Sequence, residues 1–227
     1  MLSFTPADID AIRLSVKVAV AATLFALPFG FAAAYLISYC SFRGKALVEV
    51  FINLPLTLPP VVVGYILLLL LGRNGPVAPL MELLGIRIIF TWKAAVIASS
   101  VVGFPLLVRS IRIGMESIDE RLIQASRTLG ACWYDTLFTI IVPLSFRGLI
   151  AGSSLMFARS LGEFGATIIV AGNIPGVTQT IPLAIYEYAS SPGGERMALA
   201  LCLVSVSLSV VVLFFHEYLG RRLSRRD

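Results

Sequence analysis

The sequence predicts an all-α protein threaded several times through a membrane, on three observations. Of 227 residues, 58% are apolar and 14% charged, with a mean hydropathy of +0.91. A water-soluble domain carries about 25% charged residues to cover its surface, so most of this chain's area must meet lipid or its own interior. Second, charges are missing from runs long enough to cross a hydrocarbon core of about 30 Å, which takes about 20 helical residues. Third, the basic residues are shared unequally between the segments that link those runs. Such a composition argues against a cytosolic enzyme, a nucleic-acid module and a disordered scaffold.

The amino-terminal stretch MLSFTPADIDAIRLSVK holds two acids and no basic region ahead of the apolar run. That run is too long for a signal peptide, so the terminus is expected to be retained. Segment 18–39 then gives 22 residues without a charge, and 50–72 gives 23. Segment 90–108 contains only Lys93, beside a Trp92 that suits an interfacial belt from which the lysine can snorkel outward. Segment 148–171 has the length but encloses Arg159 and Glu163. Segment 197–215 closes the set, followed by His216, Glu217 and the run Arg221, Arg222, Arg225 and Arg226. The expectation is one transmembrane domain, 1–227, with five spans at about these positions.

Orientation follows from the basic residues. With a cytoplasmic carboxyl terminus, eleven Lys and Arg fall inside and six outside, with Arg159 in the membrane. Five spans then put the amino terminus outside. The formal net charge of +5 is therefore topogenic, and no nucleic-acid partner is implied. Segment 172–195 mixes turn residues with a short apolar piece, 181–186, too short to span. It is expected to be re-entrant or surface-lying. Pro55, Pro59 and Pro60 within LPLTLPPVVVG predict a bent helix beside a cavity, against the plainer reading of a packing feature.

Between the third and fourth spans lies a segment, 109–147, much longer than a helical hairpin requires. Ser117 and Glu120 have capping-box spacing, which predicts a helix from Ile118 with Asp119 and Glu120 in its positive first turn. Leu122, Ala125, Ser126 and Leu129 follow at i, i+3, i+4 and i+7, and Gly130 supplies a left-handed stop. A helix this short is not stable alone. It either lies on the protein's own helix ends or offers its small-residue face to a separate cytoplasmic protein.

The stretch QASRTLGACWYDTLFTIIVP resembles the EAA loop of type I ABC importer permeases, whose pattern is E-A-A, three residues, G, nine residues, then I-x-L-P. Gln124, Ala125 and Ser126 stand at the E-A-A positions, Gly130 at the glycine, Ile140 at the isoleucine, and Val142 and Pro143 at L-P. Gln for Glu, Ser for Ala and Val for Leu depart from the pattern, while the spacing is kept. LPLTLPPVVVGYILLLLLG, FARSLGEFGATI and NIPGVTQTIPLAIYEYASSPGGE are similar to the bacterial molybdate transport permeases over nearly the whole length. The resemblance implies the type I permease fold with a cytoplasmic coupling helix, and coupling to an ATPase through Gln124, Ala125, Ser126, Leu129, Gly130 and Pro143. It also implies a homodimer carrying two copies of an ATP-binding cassette subunit, fed by a periplasmic molybdate-binding protein in the bacterial inner membrane. Molybdate, with tungstate beside it, is the expected cargo, and a sulfate or thiosulfate permease of the same type is the alternative.

The residues offer no catalytic centre to set against this. Gly44-Lys45 is followed by Ala46 and lacks the upstream glycine of a Walker A loop, so ATP hydrolysis falls to a partner. Cys40, Cys132 and Cys202 are scattered and the lone histidine is His216, so neither metal nor cofactor is expected. An intramembrane enzyme, the reading from a different class, would lack its base or its ligands. Arg159 lies twelve residues past Arg147, about 18 Å along a helix. Its i, i+4 spacing to Glu163 predicts a pair on one helix face. That pair either glues a dimer core or borders the translocation path, and a charge at such depth does not face lipid.

Overall fold

The computed structural model describes residues 4–224 and opens with a helix longer than its apolar run. Helix α1 (Pro6–Tyr39) has 34 residues. At 1.5 Å per residue it is about 51 Å long. Its start is fixed by a capping box: the Asp8 amide donates to Thr5 Oγ1 at 3.3 Å and the Thr5 amide to Asp8 Oδ2 at 2.7 Å, with Pro6 at the first helical position.

The expected span 50–72 is not a rod. Helices α2 (Lys45–Thr57) and α3 (Pro60–Leu71) meet at 115°. Pro59 pushes Leu58 into an extended conformation (ψ 144°), and Pro60 does the same to Pro59 (ψ 134°). Neither proline has an amide to carry the helix ladder across. A short helix, α4 (Ala78–Leu83), lies in the next connection, and α5 (Trp92–Glu116) follows with 25 residues. The third span thus runs two turns past its expected end at 108.

The expected loop 109–147 is helical almost throughout. After α5 come α6 (Glu120–Thr128), α7 (Trp133–Thr136), a π-helical turn (Leu137–Ile141), α8 (Val142–Leu144) and the start of α9 (Phe146–Leu161). The axis bends by 63° between 133–144 and α9. The expected span 148–171 is likewise broken, because α9 stops before Gly162 and α10 (Gly165–Val170) begins afresh. Helix α11 (Ile181–Ala189) is the short piece read as unable to span, and α12 (Glu195–Ser224) overruns the expected 197–215. Among the described residues, α1, α5 and α12 are long and apolar enough to cross a membrane, and taking each bent pair as one span raises the number to five. The side chains of His216, Glu217, Arg221 and Arg222, and residues Arg225 and Arg226, lie outside the described part.

Helix α5 is the axis of the fold, packed between α1 and α9. Its contacts are made by small residues, since lipid gives no hydrophobic drive and association depends on close backbone approach. A Cβ on Gly114 would stand 2.9 Å from the Cα of Gly148, so neither position admits a side chain. Ala22, Ala26 and Ala34 of α1 and Ala94, Ala95 and Ala98 of α5 belong to the same buried cluster. Polar ties reinforce it: Tyr39 donates to the Met115 carbonyl at 2.9 Å and Ser100 to the Ala22 carbonyl at 3.3 Å. At the other end of α1, Lys17 stands 4.0 Å over the Trp92 ring, so the interfacial tryptophan is matched by this lysine while Lys93 is exposed.

A second small cluster, Ala11, Ile181, Ala184 and Leu201, pins α11 to α1 and α12. The Ile181 amide donates to Ser15 Oγ at 2.7 Å, and Tyr188 donates to the buried Asp8 at 3.0 Å. Burial, then the bond to Asp8, raises the Tyr188 pKa above its ordinary value.

Candidate coupling surface and interior ion pair

Helix α6 begins at Glu120, two residues later than capping-box spacing predicts. Asp119 is the cap, accepting from the Arg121 amide at 2.9 Å. Ser117 instead ends α5, its hydroxyl donating back to the Gly114 carbonyl at 2.8 Å. The stop is as expected. Gly130 has φ +88°, its amide donates to the Arg127 carbonyl and the Ala131 amide to the Ser126 carbonyl, both at 3.1 Å. That pair of bonds is a Schellman closure, which requires a left-handed residue after the cap.

The faces of α6 divide differently from the expected small-residue stripe. Ile123 is buried and Ser126 half-buried, with Ser126 Oγ 2.9 Å from Thr136 Oγ1, so this serine fastens α6 to α7. Leu122, Gln124, Ala125 and Leu129 are exposed, Leu129 to 88%. Trp133, Tyr134 and Phe138 continue this exposed apolar surface, with the Trp133 and Tyr134 rings edge to face at 6.2 Å. Sequence reasoning passed over these aromatics, although three in six residues beyond a helix stop was a visible signal. Pro143 sits just after the π-helical turn. A proline lacks the amide that would hold the i−4 carbonyl and crowds it, and widening the preceding turn relieves that clash.

Just before α6, the last turns of α5 are tied to α2. Arg112 reaches Glu49 at 3.0 Å and Glu116 at 2.6 Å. Arg112 donates through Nε to Glu116 and through Nη1 to Glu49, so one guanidinium joins the two helices. Nothing in the sequence announced this link, since it depends on how the α2–α3 bend lays α2 against α5.

Arg159 and Glu163 do form a pair, at 2.8 Å, but not on one helix face. Helix α9 ends at Leu161, and Glu163 lies in the break beyond it. Arg159 thereby occupies the last turn of α9, where carbonyls concentrate negative potential. The other Glu163 oxygen accepts from the Ala166 amide at 2.9 Å, in the first turn of α10. Each charge is thus met by its partner and by a helix end of opposite sign. The exposure is unequal: 30% for the Arg159 side chain and 1% for Glu163. The arginine is the member that reaches open space.

Residues 26–225 match the family described as binding-protein-dependent transport system inner membrane component. The chain belongs to that family. It is 49% identical over 218 residues to the molybdenum transport system permease protein ModB of Escherichia coli K12, covering 96% of this chain and 95% of that one. Against the ModB of Haemophilus influenzae the identity is 48%, with 96% of both chains covered. It is 38% identical to the sulfate transport system permease protein CysW of Synechococcus elongatus, covering 90% of this chain and 72% of that one. In fold it is similar to a chain of a bacterial alginate ABC transporter (TM-score 0.77, 17% identity, 96% and 80% covered). The MetNI methionine ABC transporter gives 0.72 at 16% identity, with 94% of both covered. This permease is therefore a multi-pass inner-membrane transport component with the type I ABC importer fold, and not the subunit that hydrolyses ATP.

Proposed function

We propose that this permease carries molybdate inward, accepting tungstate almost equally, as the homodimeric membrane subunit above two ATP-binding cassette subunits. A periplasmic binding protein delivers the anion to its outer face. The observation that supports the cargo is the 49% identity to a molybdenum permease across nearly the full length of both chains. The amino terminus lies outside and the carboxyl terminus inside. Molybdate and tungstate share charge and have nearly the same size, so a path that reads only those properties passes both.

Coupling rests on α6. Its exposed Leu122, Ala125 and Leu129, continued by Trp133 and Tyr134, form the surface that seats in the ATPase subunit, while Ser126 and Ile123 hold the helix to the permease. Gln124 lies on the rim, and Gly130 and Pro143 set the angles at which the chain leaves. Closure of the ATPases moves the permease only through a difference in their affinity for its two states. Arg159 and Glu163 are an interior pair that shapes the path rather than a tight anion site, since Glu163 repels a dianion at the place where Arg159 would attract it.

Deleting the gene is expected to abolish molybdenum-enzyme activity in low-molybdate medium, with recovery in excess molybdate. A second reading, sulfate transport, is supported by the 38% identity to a sulfate permease. A deletion strain with normal molybdenum enzymes that requires a reduced sulfur source would decide for it.

A further inference from the structure

The connection between α3 and α5 encloses an open pocket of about 730 Å³ at the end of α5 opposite the coupling helix. Leu71, Met81, Ile88 and Ile89 line one part of it and Arg73, Glu82 and Arg87 another. Neither arginine makes an ion pair or hydrogen bond among the described residues. Arg73 stands just past the carboxyl end of α3, and Arg87 in the non-helical stretch that follows α4. Two guanidinium groups with no acceptor of their own frame one opening, and Glu82 offsets only one of the two charges.

The surroundings identify the ligand's other half. On α4 and just after it, Leu80, Leu83 and Leu84 are exposed, Leu83 to 82%, and α3 below presents Val61, Tyr65, Ile66, Leu69 and Leu70 outward. A six-residue helix with leucines outward, next to a bent apolar helix pair, suits the boundary between acyl chains and headgroups. Arginine suits phosphate there because its planar fork matches phosphate oxygens bidentately.

We propose that this pocket holds the phosphate headgroup of an anionic lipid, clasped between Arg73 and Arg87, with the acyl chains lying along the leucines of α4 and the outer face of α3. The headgroup site does not depend on the identity of the cargo. It gives α3 and α4, which end in a connection otherwise built of turns, a fixed anchor at the membrane surface.

The test uses the full-length permease co-purified with its partner subunits in mild detergent, delipidated and titrated with phosphatidylglycerol or phosphatidylcholine. Retained lipid is measured by native mass spectrometry, and thermal unfolding is followed in parallel. Phosphatidylglycerol is expected to be retained roughly tenfold better than phosphatidylcholine and to raise the melting temperature. The double variant Arg73→Gln/Arg87→Gln is expected to lose that preference. Glu82→Gln is expected to strengthen it, and it keeps the idea testable if the double variant does not assemble. Equal retention of the two lipids, an unchanged preference in the double variant, or no gain in Glu82→Gln would overturn the proposal. Equal protection by millimolar inorganic phosphate or molybdate would also overturn it and make the pocket a free-anion site. Normal lipid retention with lost stimulation by the binding protein would make it a protein-docking face instead.

Discussion

Helices α5 and α12 are both long and apolar enough to cross a membrane, yet 67% of the spanning stretch of α5 is buried inside the protein and 11% of that of α12. The more buried helix is the less hydrophobic one, with a mean hydropathy of 1.8 against 2.7. In water the order would be reversed. Lipid is as apolar as leucine, so hydrophobicity does not select what goes inside, and small residues that allow close approach do. Helix α5 carries Ala94, Ala95, Ala98, Ser99, Ser100, Gly103 and Gly114, whereas α12 presents Leu199, Leu203, Val206, Val211 and Phe214 outward.

The sharpest test of that contrast is a side chain forced into the α5–α9 contact. Gly148→Leu places atoms against Gly114 and the Ser110 carbonyl, 2.8 Å from the new Cβ, where backbone cannot yield. It is expected to cost about 3 kcal/mol or more and to prevent recovery of folded protein from membranes. Val206→Leu on α12 is expected to leave thermal unfolding in detergent unchanged, and equal damage from both would end the distinction.

Next in size is the interior pair. Arg159→Leu strands the buried Glu163 carboxylate, at about 3–5 kcal/mol, and Glu163→Leu strands the part-exposed Arg159 at a smaller cost, whereas the double replacement leaves no stranded charge. Unfolding temperature and uptake are expected to suffer more in each single variant than in the double. Should Arg159→Leu assemble normally, raise the anion concentration needed for uptake and gain nothing from Glu163→Leu, the arginine contacts cargo.

The proposed coupling surface is expected to respond without loss of the fold. Gly130→Val puts a β-branched residue at φ +88°, at about 1–2 kcal/mol, confined to a surface turn. Trp133→Ala removes an exposed ring. Both are expected to give intact permease that no longer retains or is driven by its ATPase, read by co-purification and by uptake. Normal uptake with normal co-purification in both variants would rule out this face.

The smallest effect belongs to Tyr188→Phe, which removes one hydrogen bond to Asp8, at about 1 kcal/mol. Because burial raises the Tyr188 pKa, the stability gained from its neutral form is complete below pH about 10 and lost as pH rises through the folded value. Alkaline unfolding is therefore expected to come earlier in wild type, relative to its neutral-pH stability, than in Tyr188→Phe.

What the sequence made legible divides along the same physical line. Charge-poor length located α1, α5 and α12, because hydrocarbon thickness is a local constraint. Gly130 was legible because a left-handed stop is a property of one residue. The paired prolines 59 and 60 announced a bend, though not its 115°. The start of α6 was misread because Ser117 had two local uses, and ending α5 prevailed over starting α6. The break after Leu161 was hidden, since a charged pair at i, i+4 reads the same on a continuous helix as across its end. Glu49 with Arg112, and Asp8 with Tyr188, were out of reach because each partner is chosen by packing between distant elements.

The bend between α2 and α3 has a consequence for biogenesis. Helices of 13 and 12 residues are about 20 and 18 Å long, so neither half crosses the bilayer alone, and Pro59 and Pro60 have no amide to offer the carbonyls of the preceding turn, which lipid cannot satisfy. The partner that fills the groove of α3 is α10, where a Cβ on Gly64 would stand 2.8 Å from Ala166. That partner leaves the ribosome about ten seconds later at roughly 5–20 residues per second. Helix α1 is ready to leave the translocon as soon as it is made, while the α2–α3 elbow must wait in a sheltered site for later chain to arrive. The elbow is thus expected to settle in the membrane only after α10 has been made, later than its place in the sequence.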